Sequence, residues 1–277
     1  MAVQVAPPLE DLELELLLEG IFRQYGYDFR GYASASLRRR LWKRAHVERL
    51  ETLTALLDLV LHDAAALDRL LRDLSINVTE MFRDPSFHRA LRAKAFPLLR
   101  TYPFVRAWVA GCATGEEVLS LAIALHEEGV LDRTRIYATD MNEAALTRAR
   151  DRLVPAEHLL DFSDNYQRAG GRRALTDYCV VRGENAVFDA ALTRNVVYAQ
   201  HNLVSDRSFN EFHLILCRNV MIYFGRDLQK QVHQLFLDSL VPLGLLGLGR
   251  KETIADPGIA ERYEAIEPAE KLFRRKD

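Results

Sequence analysis

The chain has 277 residues and a formal charge of −2, with 49% apolar and 27% charged residues. That length suits one large domain or two modest ones, each with a sizeable core. A general nucleic-acid binder normally carries a basic excess, so the charge balance argues against that class and leaves room only for a local basic patch.

Cysteine usage and apolar runs bear on compartment and on metal binding. Cys112, Cys179 and Cys217 lie far apart in the sequence and form no CxxC pair. We therefore expect no disulfide framework and no metal site, and a reducing, cytoplasmic setting. The longest apolar run, residues 240–249, is much shorter than the roughly 20 residues of a membrane span, so no direct membrane insertion is expected.

The first predicted domain, residues 1–75, has the periodicity of helices. An acidic helix carries apolar residues at helical spacing and is followed by a break at residues 25–28. A second helix is predicted over residues 36–50, and two further helical stretches span 51–61 and 64–75. The region should therefore be a small all-helical domain.

The second of these helices is strongly basic. Residues 36–50 contain six Arg or Lys residues and one Glu, a net charge of +5. Residues four apart share a helix face, so a broad exposed basic face is expected while Leu37, Leu41 and Trp42 turn towards the core. A docking surface for an acidic partner and a merely solvated face are both compatible with this pattern. The basic residues concerned are Arg38, Arg39, Arg40, Lys43 and Arg44.

After a linker at residues 76–96, strands alternate with helices through a second domain, residues 97–277. Such alternation predicts an α/β fold with a mainly parallel sheet, which binds ligands at the carboxyl ends of its strands. A small β hairpin, inserted at about 170–195, interrupts the rhythm with two short β-prone runs. The predicted strands are 105–110, 135–139, 196–200, 212–217 and 245–248, and the predicted helices are 117–127, 143–152 and 228–240.

The strongest local motif is the loop Gly-Cys-Ala-Thr-Gly-Glu-Glu, residues 111–117, between the first strand and its helix. Small residues let the backbone approach a ligand, but the GxGxxG run that seats a pyrophosphate is missing. Glu116 and Glu117 would repel phosphate and suit a cation, which favours the sulfonium of S-adenosylmethionine over a dinucleotide. A tight turn with glutamates at favourable first-turn positions is the alternative.

An acidic residue, Asp140, ends the second predicted strand. A carboxylate at that place can accept hydrogen bonds from both hydroxyls of a ribose. An Asp after a strand is also a common helix cap, and because the next helix begins a few residues later, both roles are compatible with the sequence.

Two further segments hold polar residues next to structured regions. Residues 77–85, Asn-Val-Thr-Glu-Met-Phe-Arg-Asp-Pro, form either a ligand-covering linker or a polar connector in which Asp84 caps a helix starting at Pro85. Residues 217–224, Cys-Arg-Asn-Val-Met-Ile-Tyr-Phe, follow an apolar strand directly. Arg218 and Asn219 thus stand where ligands bind, unless the strand simply continues to Phe224.

In this order, the four segments resemble the CheR-type chemotaxis-receptor methyltransferases, which transfer a methyl group from S-adenosylmethionine to glutamate side chains. The shared patterns are N-x-T-x-x-x-R, G-C-x-T-G-E-E and C-R-N-x-x-I-Y-F, together with a helical first domain. The resemblance covers most of the chain. It implies a Rossmann-like class I methyltransferase sheet with S-adenosylmethionine as cofactor and S-adenosylhomocysteine as product.

The resemblance assigns cofactor contacts in the linker and in the first loop. Asn77, Thr79 and Arg83 match the linker residues that fold over the cofactor. Gly111 and Glu116 match the loop that holds its methionine part.

Further contacts are implied at the ends of later strands. Asp140 matches the ribose ligand, and Asn202 and Leu203 match the pair beside the adenine. Arg218 and Asn219 match residues that line the pocket.

The resemblance also implies a mechanism and a partner. Tyr223 matches a tyrosine near the transferred methyl group, and Arg83 is expected to orient the cofactor or the incoming carboxylate. The acceptor carboxylate, already an anion at neutral pH, needs no general base. The basic helix would dock the glutamate-rich helical region of a chemoreceptor-like protein. A monomer and no nucleic-acid partner are expected.

Two departures from the family pattern leave the substrate open. The hairpin connection at residues 182–187 is short, which makes tethering to a receptor tail doubtful, and Gly249-Arg250-Lys251-Glu252 replaces the family's Gly-His-Ser-Glu. The alternatives are a methyltransferase for a different protein and a non-catalytic module that binds S-adenosylmethionine or its product. A nicotinamide enzyme is disfavoured because the phosphate-binding motif is missing. A nucleic-acid methylase is disfavoured because the methyl-site segment lacks an Asn/Asp-Pro-Pro-Tyr run.

Overall fold

The computed structural model describes residues 8–74 and 79–277. Two compact units make up the chain. Of the described residues, the helical unit comprises 8–74 with 223–228, and the sheet unit comprises 79–222 with 229–277. In the described part of the chain, none of the helices combines the length and the apolar character needed to cross a membrane.

The helical unit is built from four helices with polar boundaries. The first ends where Gly26 adopts a left-handed conformation and donates its N–H to the carbonyl of Phe22, and the third begins at Thr52, whose Oγ1 accepts from the N–H of Ala55. The chain returns to this unit at Tyr223, whose carbonyl accepts from the N–H of Ala33 at 2.7 Å. The helices are α1 (Leu9–Tyr25), α2 (Ser34–Val47), α3 (Leu53–His62) and α4 (Ala64–Leu74).

The sheet unit alternates strands and helices, as its sequence predicts. Before the first strand, α5 (Pro85–Ala90) continues through a π-helical turn (Leu91–Ala95) into α6 (Phe96–Leu99). The remaining elements are β1 (Val105–Ala110), α7 (Glu116–Glu127), β2 (Thr134–Asp140), α8 (Glu143–Asp151), β3 (Leu153–Pro155), α9 (Leu159–Arg168), β4 (Cys179–Arg182), β5 (Asn185–Phe188), β6 (Val196–Gln200), β7 (Phe212–Cys217), α10 (Arg226–Ser239), β8 (Leu240–Leu248), α11 (Pro257–Ala260), β9 (Tyr263–Glu267) and β10 (Leu272–Arg275).

The main sheet has seven strands in the order β6-β2-β1-β7-β8-β10-β9. The first five are parallel, and β10 runs antiparallel to both of its neighbours. The direction of winding reverses between β1 and β7, which creates a crevice at their carboxyl ends. The predicted α/β class is confirmed, and any ligand site is expected at this edge.

The edge strand β9 and its inner neighbour β10 are absent from the sequence-based prediction. Their exposed faces carry Glu264, Glu267 and Arg274 among apolar residues, so neither strand shows the continuous apolar run of the central ones. They form because β10 pairs with β8 over Leu272–Arg274, a contact between distant parts of the chain.

The inserted subdomain is a three-stranded antiparallel sheet in the order β3-β5-β4. Its hairpin, β4 and β5, confirms the prediction, with Gly183 at a positive φ of 60° in the turn. The third strand, β3, and the helix α9 between β3 and β4 are additions that the sequence did not reveal. Each is short, and β3 contributes only three residues to the sheet.

Candidate active site

The loop after β1 is held close to the neighbouring strands. The N–H groups of Gly111 and Cys112 both donate to the carbonyl oxygen of Thr139, at 2.8 and 2.9 Å. Gly111 has a φ of +74°, and a Cβ there would lie 2.5 Å from a methyl group of Val220. Only glycine fits, because the loop backbone passes directly against the turn that follows β7.

Glu116, the first residue of α7, is buried within this loop. Its Oε2 accepts from the hydroxyl of Thr114 at 2.7 Å, and its carbonyl accepts from the hydroxyl of Ser120 at 2.6 Å. Burial raises the pKa of the Glu116 carboxyl. The side chain is therefore fixed at the carboxyl edge of the sheet, beside the loop it was predicted to serve.

Asp140, at the end of β2, braces the same loop. Its two carboxylate oxygens accept from the N–H groups of Ala113 and Asn142, each at 2.9 Å. Desolvation raises the pKa of Asp140, although these hydrogen bonds act in the opposite direction. A carboxylate offers about four acceptor sites, so the contact with a ribose stays chemically open.

The helix-cap interpretation of Asp140 is wrong. The cap of α8 is Asn142, whose Oδ1 accepts from the N–H groups of Ala144 and Ala145 at 3.0 and 3.3 Å. Asp140 lies two residues too early and points its carboxylate back to the first loop.

The linker packs onto the sheet unit as an ordered segment. Met81 and Phe82 are fully buried, the N–H of Phe82 donates to the hydroxyl of Ser120 at 2.8 Å, and Asn165 donates to the carbonyl of Met81 at 3.3 Å. Of the predicted linker residues, Thr79 is half-buried, and Asn77 lies outside the described residues.

Asp84 precedes α5, as expected of a cap, but its side chain makes no cap hydrogen bond. Phe82 and Asp84 both adopt a positive φ, 51° and 53°, which turns the Asp84 carboxylate away from the helix. The carboxylate instead accepts from Arg218 at 2.7 Å. The prediction that the Asp84 side chain caps α5 is therefore wrong, although α5 begins at Pro85 as expected.

Arg218 is a buried cross-link between three segments. Its Nη2 donates to Asp84 and to the carbonyl of Arg83 (3.0 Å), its Nη1 donates to Glu117 (2.9 Å), and its guanidinium lies 4.1 Å from the ring centroid of Phe87. The guanidinium thus joins the linker and α7 to the end of β7. Its predicted direct contact with the cofactor stays a prediction.

The next residue, Asn219, is held by an interaction that the sequence analysis missed. Asn219 has a φ of +61°, and its N–H donates to Glu252 at 3.0 Å. Strand β7 therefore ends here and does not continue to Phe224. The sequence signal for Glu252 is a carboxylate four residues after the end of an apolar strand. For Glu117 and Asp84 the signal is a charged residue next to a predicted ligand residue.

Asn202 and Leu203 lie beyond the carboxyl end of β6. The N–H of His201 donates to the carbonyl of Asp140 at 3.2 Å, which ties this segment to the end of β2. Asn202 closes a local turn by accepting from Val204 at 3.0 Å, and Leu203 is buried. Asn202 and Leu203 therefore follow β6, the strand that pairs with β2, which ends at Asp140.

Tyr223 belongs to the helical unit, whereas the predicted cofactor-binding residues of the described structure lie in the sheet unit. Its ring centroid lies 5.3 Å from the guanidinium of Arg40, in the geometry of a cation–π contact. The ring is half-buried.

The broad exposed basic face predicted for α2 is wrong in extent. Arg38 pairs with Glu10 and Asp11, Arg44 pairs with Asp73 and Glu48, and Arg40 donates to the carbonyls of Asp73 and Leu74. These arginines face acidic and carbonyl oxygens of α1 and α4, which the helical period alone does not reveal. Two residues stay exposed and meet no carboxylate of the described residues, namely Arg39 and Lys43.

The sequence matches two domain models of one family. The CheR methyltransferase all-alpha domain matches residues 12–75, and the CheR methyltransferase S-adenosylmethionine-binding domain matches residues 77–269. Together the two matches span nearly the whole chain, in the order that the motifs indicated.

Individual relatives agree with this family. Cher3 of Pseudomonas putida, whose name assigns it a methyltransferase activity, is 43% identical and covers 96% of this chain and 97% of its own. Chemotaxis protein methyltransferases of Listeria monocytogenes (27% identity, 90% and 94% coverage) and Escherichia coli (30%, 67% and 64%) are also similar. The chain belongs to the CheR family of S-adenosylmethionine-dependent methyltransferases, which confirms the resemblance.

Proposed function

We propose that the protein transfers a methyl group from S-adenosylmethionine to glutamate side chains of a chemoreceptor or chemoreceptor-like signalling protein, forming methyl esters. The observation that carries the proposal is the match to both CheR domains, in order, together with relatives named chemotaxis protein methyltransferases. A cytoplasmic location and a monomeric state stay predictions of the sequence.

The residues at the carboxyl edge of the sheet fit the proposed cofactor. Gly111 lets the loop backbone pack closely against Val220, and Glu116 and Asp140 supply carboxylates rather than the cations that a phosphate would need. When bound, the cofactor supplies an electrophilic methyl group on a positively charged sulfur. We assign its contacts to Asn77, Thr79, Arg83, Gly111, Glu116, Asp140, Asn202, Leu203, Arg218 and Asn219.

The proposed reaction needs no general base from the protein. A glutamate carboxylate has an ordinary pKa of about 4.3 and attacks as an anion, so a C–O bond forms as the C–S bond breaks. The contribution of the protein is placement and removal of water from the carboxylate. We assign Arg83 to orienting the cofactor or the incoming carboxylate, and Tyr223 to positioning the acceptor by a hydrogen bond.

Substrate docking is proposed for the exposed part of α2. Arg39 and Lys43 lie one turn apart and are free to attract a glutamate-rich helical surface, which would raise the rate of association. Arg38, Arg40 and Arg44 are committed to oxygens of the helical unit, so their contribution to docking would be through the summed positive field.

The test uses methyl-labelled S-adenosylmethionine, the full chain and an extract of the source cells. We expect label to enter a protein and to be released as methanol by mild base, as a carboxyl methyl ester requires. A parallel sample with excess S-adenosylhomocysteine should lose the signal.

Two results would contradict the proposal. Base-stable label would show a methyltransferase for another kind of acceptor. Tight binding of S-adenosylhomocysteine by calorimetry without any label transfer would favour the non-catalytic binding module.

A further inference from the structure

The turn that follows β7 is organised around one buried carboxylate. Glu252 is 4% exposed, and it accepts from the N–H groups of Gly249, Met221 and Asn219 at 2.6, 2.8 and 3.0 Å. No cation of the described residues forms an ion pair with it. Its negative charge is therefore balanced by backbone dipoles that converge from the ends of two neighbouring strands, β7 and β8.

The three hydrogen bonds fix a backbone shape that the chain would not otherwise favour. Asn219 has a φ of +61°, in the left-handed region that residues other than glycine adopt uncommonly, asparagine more readily than most. Gly249 is equally constrained, because a Cβ there would lie 2.7 Å from Oε2 of Glu252 and 2.8 Å from the nitrogen of Asn219.

The same turn sets the position of the first loop. Val220 lies between two of the N–H donors, and its methyl group is the atom that excludes a Cβ from Gly111. A shift of the turn would therefore move the surface against which the Gly111 loop rests, as well as the side chain of Asn219.

We propose that Glu252 is a positioning residue for cofactor binding, whose carboxylate holds Asn219 and Val220 where the Gly111 loop and S-adenosylmethionine require them. Gly249 and Glu252 are joined by two hydrogen bonds, from the N–H of Gly249 to the Glu252 carboxylate and from the N–H of Glu252 to the carbonyl of Gly249. Arg250 does not pair with Glu252: it contacts Glu270, Ser86 and, at 3.7 Å, the carboxylate of Asp84. The proposal rests on the cofactor and is independent of the methyl acceptor.

The decisive variant is Glu252→Gln, which keeps the shape but replaces one acceptor oxygen by a donor that faces an N–H group. We expect the affinity for S-adenosylhomocysteine, measured by calorimetry on the full chain, to fall at least tenfold. The matched control, Glu264→Gln, makes the same chemical change at an exposed ion pair on β9 and should stay within twofold of the wild type.

A spectroscopic readout separates positioning from general destabilisation. In protein labelled with ¹⁵N only at Gly, Asn and Met, the amide signals of Gly249, Asn219 and Met221 should move in Glu252→Gln while those of distant labelled residues stay in place. Unchanged affinity, or unchanged signals at these three amides, would overturn the proposal.

A second variant covers the case in which Glu252→Gln does not fold. Gly249→Ala leaves the carboxylate intact but forces the Asn219 turn away from it, and it should weaken S-adenosylhomocysteine binding as well. If both variants lose cooperative thermal unfolding, Glu252 is a folding residue and the positioning role is rejected.

Discussion

Charged residues at the carboxyl edge of the sheet and charged residues on α2 look alike in the sequence, but they differ in burial and in their contribution to stability. The side chain of Arg218 is 2% exposed and lies between the carboxylates of Asp84 and Glu117. The ion pairs of α2 are partly exposed, and Arg39 and Lys43 form no ion pair with the described residues. An uncompensated buried charge costs several kcal/mol, while a surface pair contributes about 0–1 kcal/mol. We therefore expect the first region to be intolerant of substitution and the second to affect chiefly association with a partner.

The largest effect should follow from Arg218→Ala. Removing the guanidinium leaves Glu117 without its cation and Asp84 with only its 3.7 Å contact to Arg250, and the free energy of unfolding should fall by about 3–5 kcal/mol. Urea denaturation measures this loss. Arg38→Ala, which breaks two exposed pairs on α2, should cost about 1 kcal/mol or less. Equal losses in the two variants would remove the contrast between the regions.

The pH dependence of stability should be dominated by buried groups of the sheet unit. Burial lowers the pKa of His233 to about 4. On acidification, His233 of the unfolded chain becomes protonated near pH 6.5, whereas His233 of the folded chain stays neutral until about pH 4. The contribution of this residue to the free energy of unfolding is therefore fully present above pH 6.5 and is lost as the pH falls. Between pH 6.5 and 4 the loss from this residue should reach about 3 kcal/mol.

The variant His233→Gln isolates this contribution. Other buried groups contribute equally to the wild type and the variant, so the difference between their plots of unfolding free energy against pH reports on His233 alone. Urea denaturation at several pH values should give the wild type a steeper acid slope than the variant. His62→Gln, at an exposed position of the helical unit, is the control and should follow the wild type. Parallel curves for wild type and His233→Gln would contradict the expectation.

The proposed reaction roles belong to Tyr223 and Arg83. Tyr223→Phe and Arg83→Ala should each lower the turnover number about tenfold, since a hydrogen bond to a charged group contributes about 1.5–3 kcal/mol. Label transfer at saturating cofactor measures this. Turnover at the wild-type level in both variants would reject these assignments, whatever the affinity for S-adenosylhomocysteine.

The smallest effect is expected on α2. The double variant Arg39→Ser, Lys43→Ser should lower kcat/KM a few-fold at low salt, and the difference should vanish at high salt because screening weakens attraction between exposed charges. Arg173→Ser with Arg182→Ser removes two exposed charges from the sheet unit and serves as the control. A salt-independent defect would assign Arg39 and Lys43 a different role.

The sequence was a good guide wherever one local pattern decides the structure. Strands β1, β6 and β7 begin and end at the predicted residues, because each is a short run of apolar or β-prone residues beside residues that stop it. The prediction failed for β9, β10 and β3. Their residues have mixed polarity, and their strand conformation depends on a partner strand that lies elsewhere in the chain.

The sequence by itself determined the α/β class, the helical first domain and the family, since periodicity and the order of motifs are properties of neighbouring residues. Only the tertiary structure decided what each charge does. Arg218 meets carboxylates 134 and 101 residues away, and Glu252 receives an N–H from a residue 33 positions before it. Such pairs depend on which strand ends meet at the edge of the sheet, and that is set by the packing of the whole unit.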